Sequence, residues 1–184
     1  ALNYPATGFS IRYEYGLFKQ KIVNGWQTEM PDVWLPGGEV WLVPRSDRIL
    51  KVRFGGWVSE HEENGRMKVE YHDSKVIEAV PYDLLISGGA SEAVSTLRLW
   101  RARNASEFDM KSFSQGDYTK ALWENQEAEL ISKVLYPSDD HSEGKTLRLK
   151  QQYFLVSASI QNIINDHMKR YGDLHCLPEY ASIH

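Results

Sequence analysis

The side chains with the most evident chemical capacity are consecutive, at Asp139, Asp140 and His141. Two carboxylates and an imidazole are side-chain types that bind divalent metal ions in proteins. Three consecutive residues rarely converge on one ion without ligands from distant parts of the chain, and the sequence indicates no such ligands. We therefore interpret this segment as a solvated loop and expect no metal ion in it.

The sequence Gly144-Lys145-Thr146 is similar to the end of a phosphate-binding P-loop. A complete P-loop has a further glycine five residues before Gly144, where this chain has Asp139. A carboxylate at that place would repel a phosphate group. The pattern therefore argues against a nucleotide site.

The single cysteine, Cys176, follows His175, and a thiol beside an imidazole is the basis of cysteine nucleophiles. Adjacent side chains in a polar segment usually point apart, so we do not expect a catalytic pair here. One cysteine also excludes an internal disulfide and a zinc site built from several cysteines. Because a chain without disulfides is typical of a reducing compartment, we expect a cytoplasmic protein.

Composition is that of an ordinary globular protein of one-domain size. The chain has 184 residues, of which 42% are apolar and 25% charged. The 21 basic and 25 acidic residues give a net charge of −4, so the chain lacks the basic field that attracts nucleic acids and anionic membranes. We expect neither nucleic acid nor membrane as a partner.

Alternating apolar and polar residues predict strands through the first half of the chain. The pattern covers residues 11–15, with 19–23 as a return strand, and then 50–54, 67–71, 76–80 and 96–101. Asn64-Gly65 indicates a hairpin turn. Residues 24–48 form a predicted loop rich in tryptophan, in which Trp26, Trp34 and Trp41 would contact a core or a neighbour. The strands predict a mainly antiparallel sheet.

The second half of the chain changes to helical periodicity. Asp117 is a suitable N-cap for a helix over 118–135, whose polar middle indicates contact with solvent or with a partner. A second predicted helix spans 143–171 and ends at Gly172. Its two apolar stripes predict a largely buried helix.

The two ends of the chain indicate that it is part of a longer protein. It starts at Ala1 without a methionine, and the alternation in residues 180–184 predicts the start of a strand. We therefore expect one partial domain over 1–184, with strands in 1–103 and helices in 104–184. The residues alone predict an α+β fold class.

Seven segments, in order and with consistent spacing, carry the motifs of a known family. They are residues 8–20 (GFSIRYEYGLFKQ), 25–27 (GWQ), 31–35 (PDVWL), 79–83 (AVPYD), 95–100 (STLRLW), 131–137 (ISKVLYP) and 143–154 (EGKTLRLKQQYF). Together they resemble the α-glucan phosphorylases, the family of the glycogen, starch and maltodextrin phosphorylases. Residues 87–92 (SGGASE) depart from the family pattern.

The resemblance implies an enzyme that uses pyridoxal 5′-phosphate and inorganic phosphate to release glucose 1-phosphate from α-1,4-glucans. It implies that this chain is an internal fragment of the N-terminal lobe of a two-lobed GT-B glycosyltransferase fold. The family's cofactor lysine belongs to the other lobe, so the fragment alone is expected to hold no cofactor and to be inactive. Two alternatives stay open: a non-catalytic glucan-binding module and a dimerisation module.

The resemblance assigns roles around the loop 137–143, which matches the family's mobile gate beside the catalytic glucose. Tyr136 matches a tyrosine near the acceptor sugars, where its ring would stack on a pyranose, and packing on the core is the alternative. Asp139 matches the aspartate of the gate, whereas Asp140 stands where the family usually has asparagine. An ionised aspartate can only accept hydrogen bonds. The other gate residues are Ser138, His141 and Ser142, the last two in place of aromatic residues found in some members.

Three further residues match positions of known importance in the family. Arg148 matches an arginine near the gate, which would orient or neutralise a charge there, and a plain ion pair on the helix surface is the alternative. Trp41 and Arg45 fall where regulated members have residues at the subunit border. The helix over 118–135 corresponds to the family's tower, which reaches across a dimer interface. The resemblance thus implies a homodimer acting on α-1,4-glucan and inorganic phosphate.

Overall fold

The computed structural model describes residues 4, 6–35, 39–89, 91–106 and 108–183, without the side chains of Glu39 and Glu124. The strands are β1 (Thr7–Ile11), β2 (Lys19–Val23), β3 (Trp26–Met30), β4 (Val43–Pro44), β5 (Leu50–Phe54), β6 (Trp57–Glu63), β7 (Arg66–His72), β8 (Lys75–Ser87) and β9 (Val94–Asn104). The helices are α1 (Met110–Ser114), α2 (Tyr118–Leu130), α3 (Ser142–Tyr171) and α4 (Leu177–Tyr180), with short 3₁₀ turns at Glu39–Trp41 and Ser46–Arg48.

The main sheet has five strands, with β8 and β9 at its centre. β8 and β9 pair antiparallel, with Ile77 opposite Asn104, and β4 and β5 pair antiparallel with β8. The predicted mainly antiparallel pairing is confirmed, although β1 pairs parallel with β9 and makes the sheet a mixed one. The parallel edge is possible because the chain between β1 and β9 is far longer than the crossover that a parallel pair requires.

Two hairpins lie outside this sheet, and both turn at an Asn-Gly pair. β2 and β3 turn at Asn24-Gly25, and β6 and β7 turn at Asn64-Gly65, with φ between 52° and 83° at all four turn residues. Positive φ at both central residues is the geometry of the tight turns that suit twisted hairpins. The predicted turn at Asn64-Gly65 is confirmed. The predicted pairing of residues 19–23 with the strand before them is wrong, because they pair with β3.

α2 begins at its predicted cap and ends earlier than predicted. The Asp117 carboxylate accepts a hydrogen bond from a backbone N–H of the first turn. The helix ends at Leu130 and not at residue 135, because the following backbone bonds elsewhere. Leu135 N–H donates to the Tyr15 carbonyl at 3.3 Å, and Tyr15 N–H donates to the Lys133 carbonyl at 2.9 Å. Tertiary hydrogen bonds thus override the local helical pattern.

The end of the chain is helical where the sequence predicted a strand. Tyr180 is the last residue of α4, and residues 181–183 have no regular structure. Pro178 in the first turn favours a helix start, because its fixed φ suits that position. The predicted start of a strand at 180–184 is therefore wrong over the described residues, and His184 lies outside them.

The core lies between one face of the main sheet and the helices α2 and α3. Trp100 is fully buried there, and its indole N–H donates to the Ser159 hydroxyl at 3.2 Å. Phe154 of α3 and Ile131, just after α2, pack into the same cluster. Among the described residues, no helix has the length and apolar composition needed to cross a membrane.

Only one of the two predicted apolar stripes on α3 is buried. Phe154 and Ala158 are in the core, whereas Leu149, Val156 and Ile160 are exposed. The prediction of a largely buried helix is therefore wrong for the face that carries Leu149, Val156 and Ile160.

A buried ion pair joins the centre of the sheet to α3. The Arg98 guanidinium donates two hydrogen bonds of 2.7 Å to the Asp83 carboxylate and one of 2.5 Å to the Asn162 side-chain oxygen. Arg45 lies 3.5 Å from the same carboxylate. The two parallel charged hydrogen bonds to Asp83 fix the orientation of the Arg98 guanidinium, and its third hydrogen bond, to Asn162, ties α3 to the sheet.

Candidate functional site

The loop 137–143 leaves from a segment that is held on two sides. Val134 forms an isolated bridge with Tyr15, close to β1. From the other side, the buried amide of Gln151 in α3 donates to the carbonyls of Ile131 and Val134, at 3.1 and 3.0 Å. These bonds satisfy carbonyl groups that are left open where α2 ends. They also fix the point at which the loop begins.

Tyr136, immediately before the loop, combines an exposed ring with an unusual backbone. The residue is 66% exposed and has φ 57°, in the left-handed region that bulky residues rarely adopt. Such conformations persist only where the surrounding structure maintains them, and they are enriched at functional sites. Burial, and then the nearby Tyr136 phenol, raise the pKa of Tyr13. Because the ring of Tyr136 is outside the core, core packing does not explain it, and sugar stacking stays a prediction.

Asp139 and Arg148, two of the predicted site residues, are bound to each other. Arg148 Nη1, in the second turn of α3, donates to Asp139 Oδ2 at 2.5 Å across nine residues of sequence. Both side chains are more than a third exposed. The arginine therefore pairs with the loop itself rather than with another residue of its own helix, and it sets the direction of the Asp139 carboxylate.

Asp140 and Ser138 are joined within the loop. The Ser138 hydroxyl donates to Asp140 Oδ2 at 2.8 Å and accepts from the Asp140 backbone N–H at 3.4 Å. Both residues are exposed. The carboxylate of Asp140 keeps accepting capacity for further hydroxyl groups.

His141 is the N-cap of α3, a role that the sequence did not predict. Its Nδ1 accepts the backbone N–H of Gly144 at 3.0 Å, and Ser142 is the first helical residue. A Cβ on Gly144 would lie 1.7 Å from the Ser138 carbonyl oxygen, so only glycine permits this approach of helix and loop. Hydrogen bonds from the backbone of Glu143 and from Ser142 lower the pKa of Glu143, with a smaller contribution from His141.

A cavity of about 450 Å³ lies between the loop and α2. Its wall is largely apolar and includes Leu130, Pro137 and Leu147, and Glu127 also lines it. Lys75, the first residue of β8, donates to Glu127 at 2.5 Å. This hydrogen bond, together with the charges of Lys75 and Lys150, lowers the pKa of Glu127 against the opposing effect of burial. Sequence analysis missed these residues because their pairing is long-range.

Trp41 and Arg45, the predicted subunit-border residues, lie on the segment before and after β4. Trp41 is exposed and lines an apolar cavity of about 530 Å³ together with Trp34. The Trp34 indole N–H donates to the Tyr13 carbonyl at 2.8 Å, so this tryptophan does hold the long segment in place. Arg45 binds Asp47 at 2.7 Å. A role in a subunit interface stays a prediction for both residues.

The side chains of Cys176 and His175 point to different partners, as expected for adjacent residues. His175 bonds to Asp173, whereas Cys176 Sγ donates to the Asp173 carbonyl at 3.1 Å and lies 3.4 Å from Nε2 of a different histidine, His167. That nitrogen is also 2.8 Å from the Asp173 carbonyl, which can only accept, so the nitrogen donates and cannot act as a base for the thiol. Within the described ranges, no three His, Cys, Asp or Glu residues form a possible metal site.

Comparison with known proteins identifies the family. A family model of the carbohydrate phosphorylases matches residues 1–184. The chain is 48% identical over 163 residues to the brain form of glycogen phosphorylase from Rattus norvegicus. The matched stretch covers 89% of this chain and 19% of that protein. It is 42% identical over 184 residues to glycogen phosphorylase from Bacillus subtilis. This match covers 100% of this chain and 22% of that protein.

A third relative, glycogen phosphorylase from Chlamydia trachomatis, is 42% identical over 183 residues, covering 99% of this chain and 22% of that protein. The chain therefore spans about one fifth of the length of these relatives. The resemblance seen in the sequence is confirmed along the whole chain: this chain belongs to the carbohydrate phosphorylase family.

Proposed function

We propose that the protein containing this chain is a pyridoxal-phosphate-dependent α-1,4-glucan phosphorylase, and that the chain supplies the sugar-side gate loop 137–143. The observation that carries the proposal is the set of contacts at this loop. Arg148 holds Asp139, Ser138 holds Asp140, and Tyr136 keeps a strained backbone with an exposed ring. Exposed carboxylates beside an aromatic ring are a suitable surface for a sugar, which offers hydroxyl donors and a flat apolar face.

In this proposal each loop residue has a definite task. Asp139 and Asp140 accept hydrogen bonds from glucosyl hydroxyls, and Arg148 keeps Asp139 in the direction that binding needs. Tyr136 stacks on a sugar of the glucan chain, while Ser138 and Ser142 form part of the loop surface that faces the sugar. The contribution to catalysis is therefore positioning and exclusion of water, which can supply a large part of a rate enhancement.

The residues of this loop do not fit the phosphate group of the cofactor. Asp139, Asp140 and Glu143 would repel it, and the Arg148 guanidinium is already bound to Asp139. We therefore propose that pyridoxal phosphate is held by residues outside this chain, in the second lobe of a GT-B fold. The chain alone is then inactive, because its own residues provide only the sugar side of the cleft.

We also propose that the protein is a cytoplasmic homodimer in which α2 contributes to the interface. The exposed side chains of α2 include Tyr118, Leu122 and Trp123, which are apolar for a solvent-facing surface. Sedimentation of the full-length protein tests this part. A monomer at high concentration would contradict it.

The test of the proposed activity is release of glucose 1-phosphate from maltodextrin and inorganic phosphate. We expect activity in the full-length protein that depends on pyridoxal phosphate, and none in the 184-residue chain. The variant His175→Asn, far along the chain from the loop, serves as a matched control and should keep full activity. A full-length protein that binds pyridoxal phosphate and releases no glucose 1-phosphate would contradict the proposal.

A second candidate function is glucan binding without catalysis, which is favoured by two exposed tryptophans. Trp26 in β3 and Trp41 both project into solvent. If they bind glucan, Trp26→Ala and Trp41→Ala reduce the retardation of the protein in native gels that contain amylopectin. Trp57→Ala, another exposed tryptophan and one that lies outside α2, is the control and should leave retardation unchanged.

A further inference from the structure

His141 caps the first turn of α3 through its ring nitrogen Nδ1, an atom that can take up a proton. The Gly144 backbone N–H lies 3.0 Å from His141 Nδ1. A backbone N–H can only donate, so Nδ1 carries a lone pair here and the capping ring is neutral. The usual N-cap residues bond through oxygen atoms that remain acceptors near neutral pH, whereas an imidazole nitrogen that takes up a proton can no longer accept a hydrogen bond.

The same nitrogen has a second partner that suits the protonated ring. Glu143 Oε2 lies 3.4 Å from Nδ1. A protonated Nδ1 can donate to this carboxylate but can no longer accept from Gly144. In addition, a cation at the N-terminus of a helix opposes the helix dipole. Each charge state of His141 therefore favours a different partner.

The other charged groups around the ring already have partners. Across the cavity, Glu127 of α2 is bound by Lys75 and Lys150. In the loop, Asp139 is bound by Arg148, and Asp140 accepts from the Ser138 hydroxyl. Glu143, whose Oε2 lies 3.4 Å from Nδ1, is the carboxylate in reach of a protonated His141.

A change at this cap is transmitted directly to the loop. Gly144 packs against the Ser138 carbonyl so closely that no side chain fits between them. Loosening the first turn of α3 therefore removes the surface on which Ser138 rests. Asp139 and Asp140, the adjacent residues, then lose part of their support.

We propose that His141 is a positioning residue that makes the loop 137–143 sensitive to pH. Neutral His141 caps α3 and holds the loop, and protonated His141 releases Gly144 and turns to Glu143. The effect on glucan binding rests on the proposed function, whereas the change at the cap concerns this chain by itself. Glucan binding then weakens as the pH falls.

The direct test is hydrogen exchange at the Gly144 amide in the full-length protein, between about pH 7.5 and about pH 5.5. The rate is expressed relative to an unstructured chain at each pH, so that the intrinsic pH dependence cancels. Protection in the natural protein should fall about fivefold on acidification, since an N-cap typically contributes about that factor to helix stability. His141→Asn, which caps through oxygen, should keep constant protection, and His141→Ala should be poorly protected at both pH values.

The control variant is His175→Asn, which should follow the natural protein. A flat profile in the natural protein, or the same profile in His141→Asn, would overturn the inference. The glucan KM of these variants separates failure of the His141 inference from failure of the proposed function. If the glucan KM rises whenever Gly144 loses protection, both the cap at His141 and the gate role of the loop are supported. If protection depends on His141 but the glucan KM does not, the cap is supported and the gate role of the loop is overturned.

Discussion

Two of the arginine–aspartate pairs in this chain have the same chemistry in opposite surroundings. Arg98 and Asp83 join the central strands, have side chains only 6% and 7% exposed, and share two hydrogen bonds of 2.7 Å. Arg148 and Asp139 join α3 to the loop 137–143, have side chains 38% and 53% exposed, and share one contact of 2.5 Å. The first pair is enclosed on every side, and the second is open to solvent.

This difference in burial decides what each pair can do. Separating the buried pair would leave a charge without a partner in a medium of low polarity, so the pair is held closed. Separating the exposed pair costs little, because water replaces each partner. A contact of that kind can open while a ligand enters and form again once the ligand is bound, which is what the proposed gate requires.

The largest expected effect comes from removing one charge of the buried pair. Asp83→Asn leaves Arg98 as an uncompensated buried cation and should lower the free energy of unfolding by about 3 kcal/mol, measured by urea unfolding of the full-length protein. Asp47→Asn, which removes an exposed partner of Arg45, is the matched control and should leave the free energy of unfolding nearly unchanged, because water replaces the lost partner. Equal losses of unfolding free energy in the two variants would show that burial does not determine how much an arginine–aspartate pair contributes to stability.

The next effect concerns Tyr136 and should have opposite signs for binding and stability. Tyr136→Gly relieves the positive φ and should raise the free energy of unfolding by about 0.5 kcal/mol, while the loss of ring stacking should raise the glucan KM by about fivefold. Tyr136→Phe keeps the ring and should leave KM unchanged. If KM does not change in Tyr136→Gly, the stacking role is wrong.

A smaller effect on stability is expected at the exposed pair. Arg148→Met should lower the free energy of unfolding by less than about 1 kcal/mol, because both partners remain hydrated. The same urea unfolding experiment measures it. A loss as large as that of Asp83→Asn would mean that the loop pair belongs to the structural framework.

The smallest effect is expected at Arg45 and Asp47, another pair that is open to solvent. The hydrogen bond from Arg45 lowers the pKa of Asp47 from 3.8 to about 2. Because the pKa is lower in the folded state, the pair stabilises the fold above pH 3.8, and this contribution is lost as the pH falls through about 2. Arg45→Gln should return the pKa of Asp47 to near 3.8 in an NMR titration. A value that stays near 2 would assign the shift to another cause.

The sequence predicted those parts of the fold whose geometry is local. The turn at Asn64-Gly65, the cap at Asp117 and the helix end at Gly172 each depend on a few adjacent residues, and all three are confirmed. Strand pairing is not local. The pairing of residues 19–23 was predicted wrongly, although Asn24-Gly25 carried the same turn signal as the correct hairpin.

Predictions about the site also depend on whether the geometry is local. Tyr136, Asp139 and Arg148 were found through the resemblance to a family. The bond between Asp139 and Arg148 depends on the course of a loop, which the contact of Gly144 with Ser138 determines. The cap at His141 left no signal in the sequence, since histidine is not among the usual N-cap residues.

The most direct test of the account is a double-mutant cycle on the exposed pair, measured as kcat/KM for glucose 1-phosphate release by the full-length protein. Asp139→Asn and Arg148→Met should each lower kcat/KM by about tenfold, and the double variant should be no worse than either single variant. That result means that the two residues act as one unit at the gate. Additive losses of about a hundredfold, or no loss in either single variant, would contradict the central claim.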